Sequence, residues 1–166
     1  MSDPLPEPPY SAPRWIERTQ QILNSYARWL GRELVPRSGN SAEESKRLYE
    51  APFVLVSHGT EADPVLNYGN ATALALWEMP LPDFTRTPSR LTAEPMHRDE
   101  RARMLEQTAR TGYIDDYRGI RIASTGRRFR IDPATVWNVI NAEGHPAGQA
   151  ATFGTWTFLD EQQGNR

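Results

Sequence analysis

Apolar residues recur at helical spacing along the first part of the chain. Trp15, Ile22 and Trp29 repeat every seven positions, Thr19 and Tyr26 fall between them, and Ile16, Leu23 and Leu30 widen the stripe. A repeat of about 3.6 residues is that of an amphipathic helix. The pattern predicts one over residues 14–34, within a segment 14–36 that Gly31 and Pro36 close. Before it, residues 1–13 hold five prolines and little that could pack, which reads as a disordered arm. After it, residues 37–52 are polar and carry Gly, Ser and Asn, as a linker does, with a short helix over 46–49.

From Phe53 the period changes. Phe53-Val54-Leu55-Val56-Ser57 is a short apolar run that predicts a buried strand. His58-Gly59 and Asp63-Pro64 signal turns, and residues 65–68 predict the second strand of a hairpin. Asn70 is placed to cap a helix over 71–79, which Pro80 and Pro82 end. Residues 83–94 contain Pro88 and predict short helical turns. A further helix is expected over 95–111, with Pro95 in its first turn and Gly112 past its end.

The remainder alternates at period two. A strand over 113–124 is expected to put Ile120 and Ile122 on one face and Arg121 between them. The adjacent carboxylates Asp115 and Asp116 then point to opposite faces, which rules them out as an acid/base pair. In a strand over 127–140, Phe129 and Ile131 alternate with Arg128 and Arg130, and Asp132-Pro133 marks a bulge or kink. One last strand is expected over 148–159. The order predicts an α+β fold: a five-stranded antiparallel sheet, helices covering one face above a pocket, and the N-terminal amphipathic helix on an edge or the other face.

Composition narrows the chemistry. The 166 residues suffice for one domain and not for two of ordinary size. There is no cysteine, which removes disulfides, thiolate metal sites and cysteine-linked chromophores. No apolar run approaches the ~18 residues of a membrane span. The acidic, Pro-rich start is unlike a signal peptide, so a cytoplasmic location and no membrane contact are expected. A net charge of −2 argues against a general polyanion binder. Arg118, Arg121, Arg127, Arg128 and Arg130 fall within thirteen residues, but alternation on a strand puts most of them on a solvated face, so nucleic acid is not an expected partner.

Several strings resemble the bacterial MEKHLA-domain proteins, a PAS-like family. They are Leu66-Asn67-Tyr68-Gly69-Asn70, Leu76-Trp77-Glu78, the run Pro88 to Pro95, Gly126-Arg127-Arg128-Phe129, Val136-Trp137-Asn138 and Gly148-Gln149-Ala150-Ala151, with Phe153 and Trp156. The likeness covers about residues 14–159. It implies a PAS-like body over 53–160 with a tail over 161–166. A fold of that kind holds a small molecule or a partner between sheet and helices and changes contacts at a flanking helix. The family brings no agreed ligand and no catalytic residues.

The resemblance directs attention to five ligand-binding candidates: Tyr68, Trp77, Arg90, His97 and Trp137. Arg90 can fork onto a ligand carboxylate or pair with Glu94. The tryptophans can wall an aromatic site or simply fill the core. His97 shares a helix face with Met104, Leu105 and Thr108, and is either a haem ligand or a helix-terminal histidine. His58 and His145 read as turn and loop residues, and no metal motif appears. Noncovalent flavin and haem stay open as cofactors, as does an empty pocket. The stripe of Trp15, Ile22, Tyr26 and Trp29 offers a surface for a homodimer or a separate output protein, unless it packs on its own sheet. With no kinase, cyclase or DNA-binding segment, a signal is expected to leave by protein contact. The function expected is a sensory or interaction module that binds a small molecule. One alternative is a small enzyme using His97, Glu94 and Tyr68, and another is a purely structural interaction domain.

Overall fold

The computed structural model describes residues 7–94 and 98–159. Helix α1 (Pro13–Leu30) opens on a proline and ends at Gly31, whose φ of 71° suits the glycine. Residues 9–11, expected to lie unpacked, form a 3-10 turn, and Ser45 donates to the Tyr10 carbonyl. Helix α2 (Ser41–Tyr49) begins earlier than the apolar pattern suggests. Asn40 caps it by accepting from the Glu43 amide, with Glu43 and Glu44 in the first turn, and Leu48 is fully buried.

Strands β1 (Val54–His58) and β2 (Leu66–Gly69) form a hairpin. Helices α3 (Ala71–Trp77) and α4 (Leu81–Phe84), a 3-10 turn (Ser89–Thr92) and α5 (Arg98–Thr111) make the helical middle. Strands β3 (Tyr113–Ile122), β4 (Arg128–Ile140), β5 (Pro146–Phe153) and β6 (Trp156–Phe158) complete the chain. The antiparallel order is β2-β1-β5-β4-β3, with β6 also paired to β4. The described residues therefore hold six strands, not five. The expected last strand breaks at Gly154-Thr155, and β6 takes up residues 129–131 of β4 beyond the stretch that β5 pairs.

The sheet separates two cores. On one face Val54, Leu66, Ile114, Phe129, Ile131, Val136 and Phe153 pack beneath Trp77 and Phe84 of the helical middle. On the other, Leu55, Tyr68, Trp137 and Val139 pack beneath Ile22, Leu23 and Tyr26 of α1 and Leu48 of α2. The N-terminal helix thus covers the second face. Trp137 Nε1 donates to the Ile22 carbonyl at 3.2 Å, and Trp29 Nε1 donates to the Asn138 carbonyl at 2.8 Å. Among the described residues no helix is long and apolar enough to cross a membrane.

Among the described strands simple alternation fails at four register shifts, and three of them decide which side chains face which core. Between Tyr117↔Ala134 and Gly119↔Ile131, β4 has one residue more than β3, at Asp132-Pro133. Between Ile114↔Val136 and Tyr117↔Ala134 the extra residue is on β3, at Asp115-Asp116. That bulge leaves both aspartates exposed, instead of splitting them between the two faces. In β2 the skip at Asn67 sends Leu66 and Tyr68 to opposite cores. Downstream of the β3 bulge, Tyr117, Gly119 and Arg121 face the helical middle. Ile120 and Ile122 share the far side, half-buried, with Arg121 between them as expected, and it is the arginine that faces the helices.

A cavity between the sheet and the helical middle

Between the sheet and the helices lies a cavity of about 410 Å3. Its floor is the β face of Val56, Ile131, Val136, Ala151 and Phe153. Trp77, Phe84, Met104 and Leu105 supply the helical wall. Trp77 is held by Phe84, Phe129 and Phe153, all edge-on to its ring, and its Nε1 donates to the Thr92 carbonyl at 3.2 Å.

The five ligand-binding candidates separate here. Trp77 and Arg90 line the cavity. Tyr68 and Trp137 lie under α1 on the other side of the sheet, because the skip at Asn67 and the phase of β4 turn them there. Tyr68 is stacked on Trp15 at 4.5 Å, and burial pushes its hydroxyl above the ordinary tyrosine range. His97 lies outside the described residues. His58 lines the cavity with its Nδ1 2.9 Å from the Gly59 carbonyl. The stripe of Trp15, Ile22, Tyr26 and Trp29 faces the chain's own sheet, with Ile22 fully buried.

The charged side chains on the cavity wall are Arg90, Glu94 and Arg121. Arg90 pairs with Asp63 at 3.1 Å, not with Glu94, and is largely exposed. Glu94 instead accepts from Arg128 at 2.5 Å. Arg121 lies over the Tyr117 ring at 5.3 Å. The Tyr117 hydroxyl would sit 2.9 Å from a Cβ on residue 119, so Tyr117 lies over Gly119 in the row Tyr117-Gly119-Arg121. The arginine cluster of the sequence does not share one face. Arg118 pairs with Asp132, Arg128 with Glu94, Arg127 lies over the Phe158 ring, and Arg121 faces the cavity.

A flavin ring presents a run of imide and carbonyl groups that needs matching amide partners. Gln149 is the one amide side chain on the wall among the described residues, and it already donates to Asn138 at 3.1 Å. Among the described residues, therefore, the wall offers a flavin edge few amide partners. Three or more His, Cys, Asp or Glu grouped to hold a metal ion are absent among the described residues.

Behind the cavity, Arg18 ties α1 to the strands that wall it. Its guanidinium donates to Ser57 Oγ, the His58 carbonyl and the Ala147 carbonyl at 3.2, 3.0 and 2.8 Å. Burial lowers its pKa to about 10, against the opposing pull of Glu61, so it stays charged at neutral pH. The sequence carries a signal for this anchor. Arg18, Ile22, Ser25 and Trp29 follow each other at helical steps along the buried edge of α1. No comparable signal marks Arg121, because the bulge that turns it inward is set by pairing.

Sheet order β2-β1-β5-β4-β3, a helical middle over one face and a cavity between them define a PAS-like fold. It superposes on a PAS domain from Colwellia psychrerythraea with a TM-score of 0.57 and 9% identity, covering 66% of this chain and 91% of that one. It also superposes on an RNA-binding light-oxygen-voltage receptor with a TM-score of 0.58 and 17% identity, covering 80% of this chain but 38% of that one, and on a light-oxygen-voltage domain described with a flavin analogue with a TM-score of 0.52, 12% identity and coverage of 75% and 96%. Within this fold class the chain belongs to the MEKHLA-domain family, which it matches over residues 16–158. At these identities the likeness to solved structures is one of fold alone. No curated protein matches the chain.

Proposed function

We propose that the protein is a noncatalytic sensory or interaction module that holds a small molecule noncovalently and signals through protein contacts. The observation that carries this reading is the cavity of about 410 Å3. Its size lies within the range of small-molecule sites, and a mostly apolar wall with a few polar groups is how such sites are built. The route outward is short. Ser57 and His58 line the cavity, and Arg18 of α1 binds both. A ligand that shifts β1 therefore acts on the anchor of the flanking helix.

The enzyme alternative draws on His97, Glu94 or Tyr68, and its mark would be His97 within hydrogen-bond reach of a carboxylate; His97 lies outside the described residues. Tyr68 and Glu94 occupy opposite sides of the sheet, and Glu94 is neutralised by Arg128. That separation favours a binding role. The test is native mass spectrometry with absorption spectroscopy on the purified chain. A noncovalent mass above 18.9 kDa is expected, lost on denaturation. It should also be lost in Ala151→Leu, which fills the cavity from the middle of β5. Finding only the bare chain mass, with no small molecule raising the Tm of the wild type more than that of the variant, would sink the proposal.

A further inference from the structure

We infer that the cavity's occupant is a monoanion with an apolar body, a carboxylate held by Arg121. The inference rests on the cavity reading and adds the chemistry of the ligand. Among the charged groups on the wall, Glu94 is satisfied by Arg128 and Arg90 by Asp63. Arg121 has no ion-pair partner among the described residues; its guanidinium has only the Tyr117 ring beneath it. A half-buried guanidinium left without a counter-ion is where an incoming carboxylate gains most, since its planar fork matches two carboxylate oxygens.

The position of Arg121 is held by the backbone. Ala93 forms a bridge with Arg121, and the Glu94 amide donates to the Ile120 carbonyl at 3.0 Å, so the 3-10 turn after α4 is fastened to the β3 edge at this residue. The remaining wall of Trp77, Phe84, Tyr117, Ile131, Val136 and Phe153 is aromatic and aliphatic. One cation unpaired among the described residues and facing such a wall selects a single negative charge on an apolar body. A dicarboxylate or a phosphate monoester would carry a second charge with no cation to meet it, because Arg90 is already engaged.

The test uses three compounds with one body and different heads: 4-phenylbutyrate, 4-phenylbutanol and 4-phenylbutylamine. Affinities are read by calorimetry and by the rise in Tm, for the wild type, Arg121→Gln and Arg121→Lys. In the wild type the acid should bind about 10-fold or more tighter than the alcohol, and the amine weakest. In Arg121→Gln the preference for the acid over the alcohol should disappear, while alcohol binding that remains measurable shows that the cavity is intact. Arg121→Lys should recover part of the preference. Equal binding of acid and alcohol to the wild type would overturn the anion assignment and leave the cavity reading standing, as would a preference that survives in Arg121→Gln. Failure of all three compounds to bind the wild type would count against the cavity reading itself, and the inference would fall with it.

Discussion

Asn70 does more than begin a helix. Its Oδ1 accepts from the Leu55 and Ala73 amides at 3.1 Å each, and its Nδ2 donates to the Leu48 and Phe53 carbonyls at 3.1 and 2.8 Å. One fully buried amide therefore caps α3, pairs with β1 and receives the end of α2. Removing it strands several buried backbone groups, each costing about 1–3 kcal/mol. Asn70→Ala should lower stability by about 3 kcal/mol or more in urea titrations, well above the usual loss for a surface cap. Asn70→Asp should be worse at pH 7, because the carboxylate would face the Leu48 and Phe53 carbonyls. Burial against those carbonyls raises the folded pKa of the new carboxyl. The extra loss is then present above the unfolded pKa and disappears as pH falls below it. A variant equal to Asn70→Ala at every pH would show that Nδ2 makes no difference. Gly148 is constrained in another way. Its φ is +110°, and a Cβ there would lie 1.9 Å from the His58 carbonyl. Gly148→Ala should destabilise by more than about 1 kcal/mol, the β1–β5 pairing giving way first.

At the scale of elements, α1 is part of the core. Its inward stripe meets the sheet face of Leu55, Trp137 and Val139, while Arg14, Glu17, Asn24 and Arg28 on its outer side are exposed and polar. Helix and sheet are joined by hydrogen bonds from Arg18, Trp29 and Trp137. The amides of α1 should thus show hydrogen-exchange protection near that of β4 and β5, not the weak protection of a peripheral helix. Ile22→Ala should cost about 2–5 kcal/mol and leave the solution mass unchanged in light scattering. A drop in mass with stability retained would instead place Ile22 at an interface between copies. The α5 end is tied to α1 as well, since a Cβ on Gly112 would lie 2.3 Å from the Trp29 ring.

For the molecule as a whole, one charge that matters to stability is buried under the turn between α1 and α2. Glu44 is 2% exposed. Burial alone would push its carboxyl up, but hydrogen bonds from Gln20, the Ser38 and Gly39 amides and Arg37 outweigh it and hold the pKa at about 2, against an ordinary 4.5. The folded value is the lower one, so the stabilisation is complete above about pH 4.5 and is lost as pH falls towards 2. It amounts to about 3 kcal/mol. Glu44→Gln should be destabilised at pH 7 and should show a much flatter loss of stability between pH 5 and 2; an unchanged slope would assign the acid sensitivity elsewhere. The exposed pairs Arg90–Asp63 and Arg118–Asp132 contribute little by comparison. Raising salt to 1 M at pH 7 should therefore move stability by less than about 1 kcal/mol through them.

The α+β class, the long N-terminal helix, the cap at Asn70 and the break at Gly112 were legible in the sequence, because period, capping and glycine placement are local properties. So were the strings that carry the family likeness. The start of α2 was missed although Asn40 and Glu43 mark it, since its helix is too short for apolar periodicity to stand out. The facing of Tyr68, Ile120, Arg121 and Ile122 was not legible at all. One extra residue at Asn67, at Asp115-Asp116 and at Asp132-Pro133 inverts the side-chain phase, and only the partner strand reveals which residue is extra. The split of the last strand into β5 and β6 arises likewise from what β4 leaves unpaired. The absence of cysteine settled by itself that no thiol adduct forms here. That the cavity presents one arginine without an ionic partner among the described residues was decided by the pairing of Arg128 with Glu94 and Arg90 with Asp63, contacts between residues far apart in the chain that no local pattern encodes.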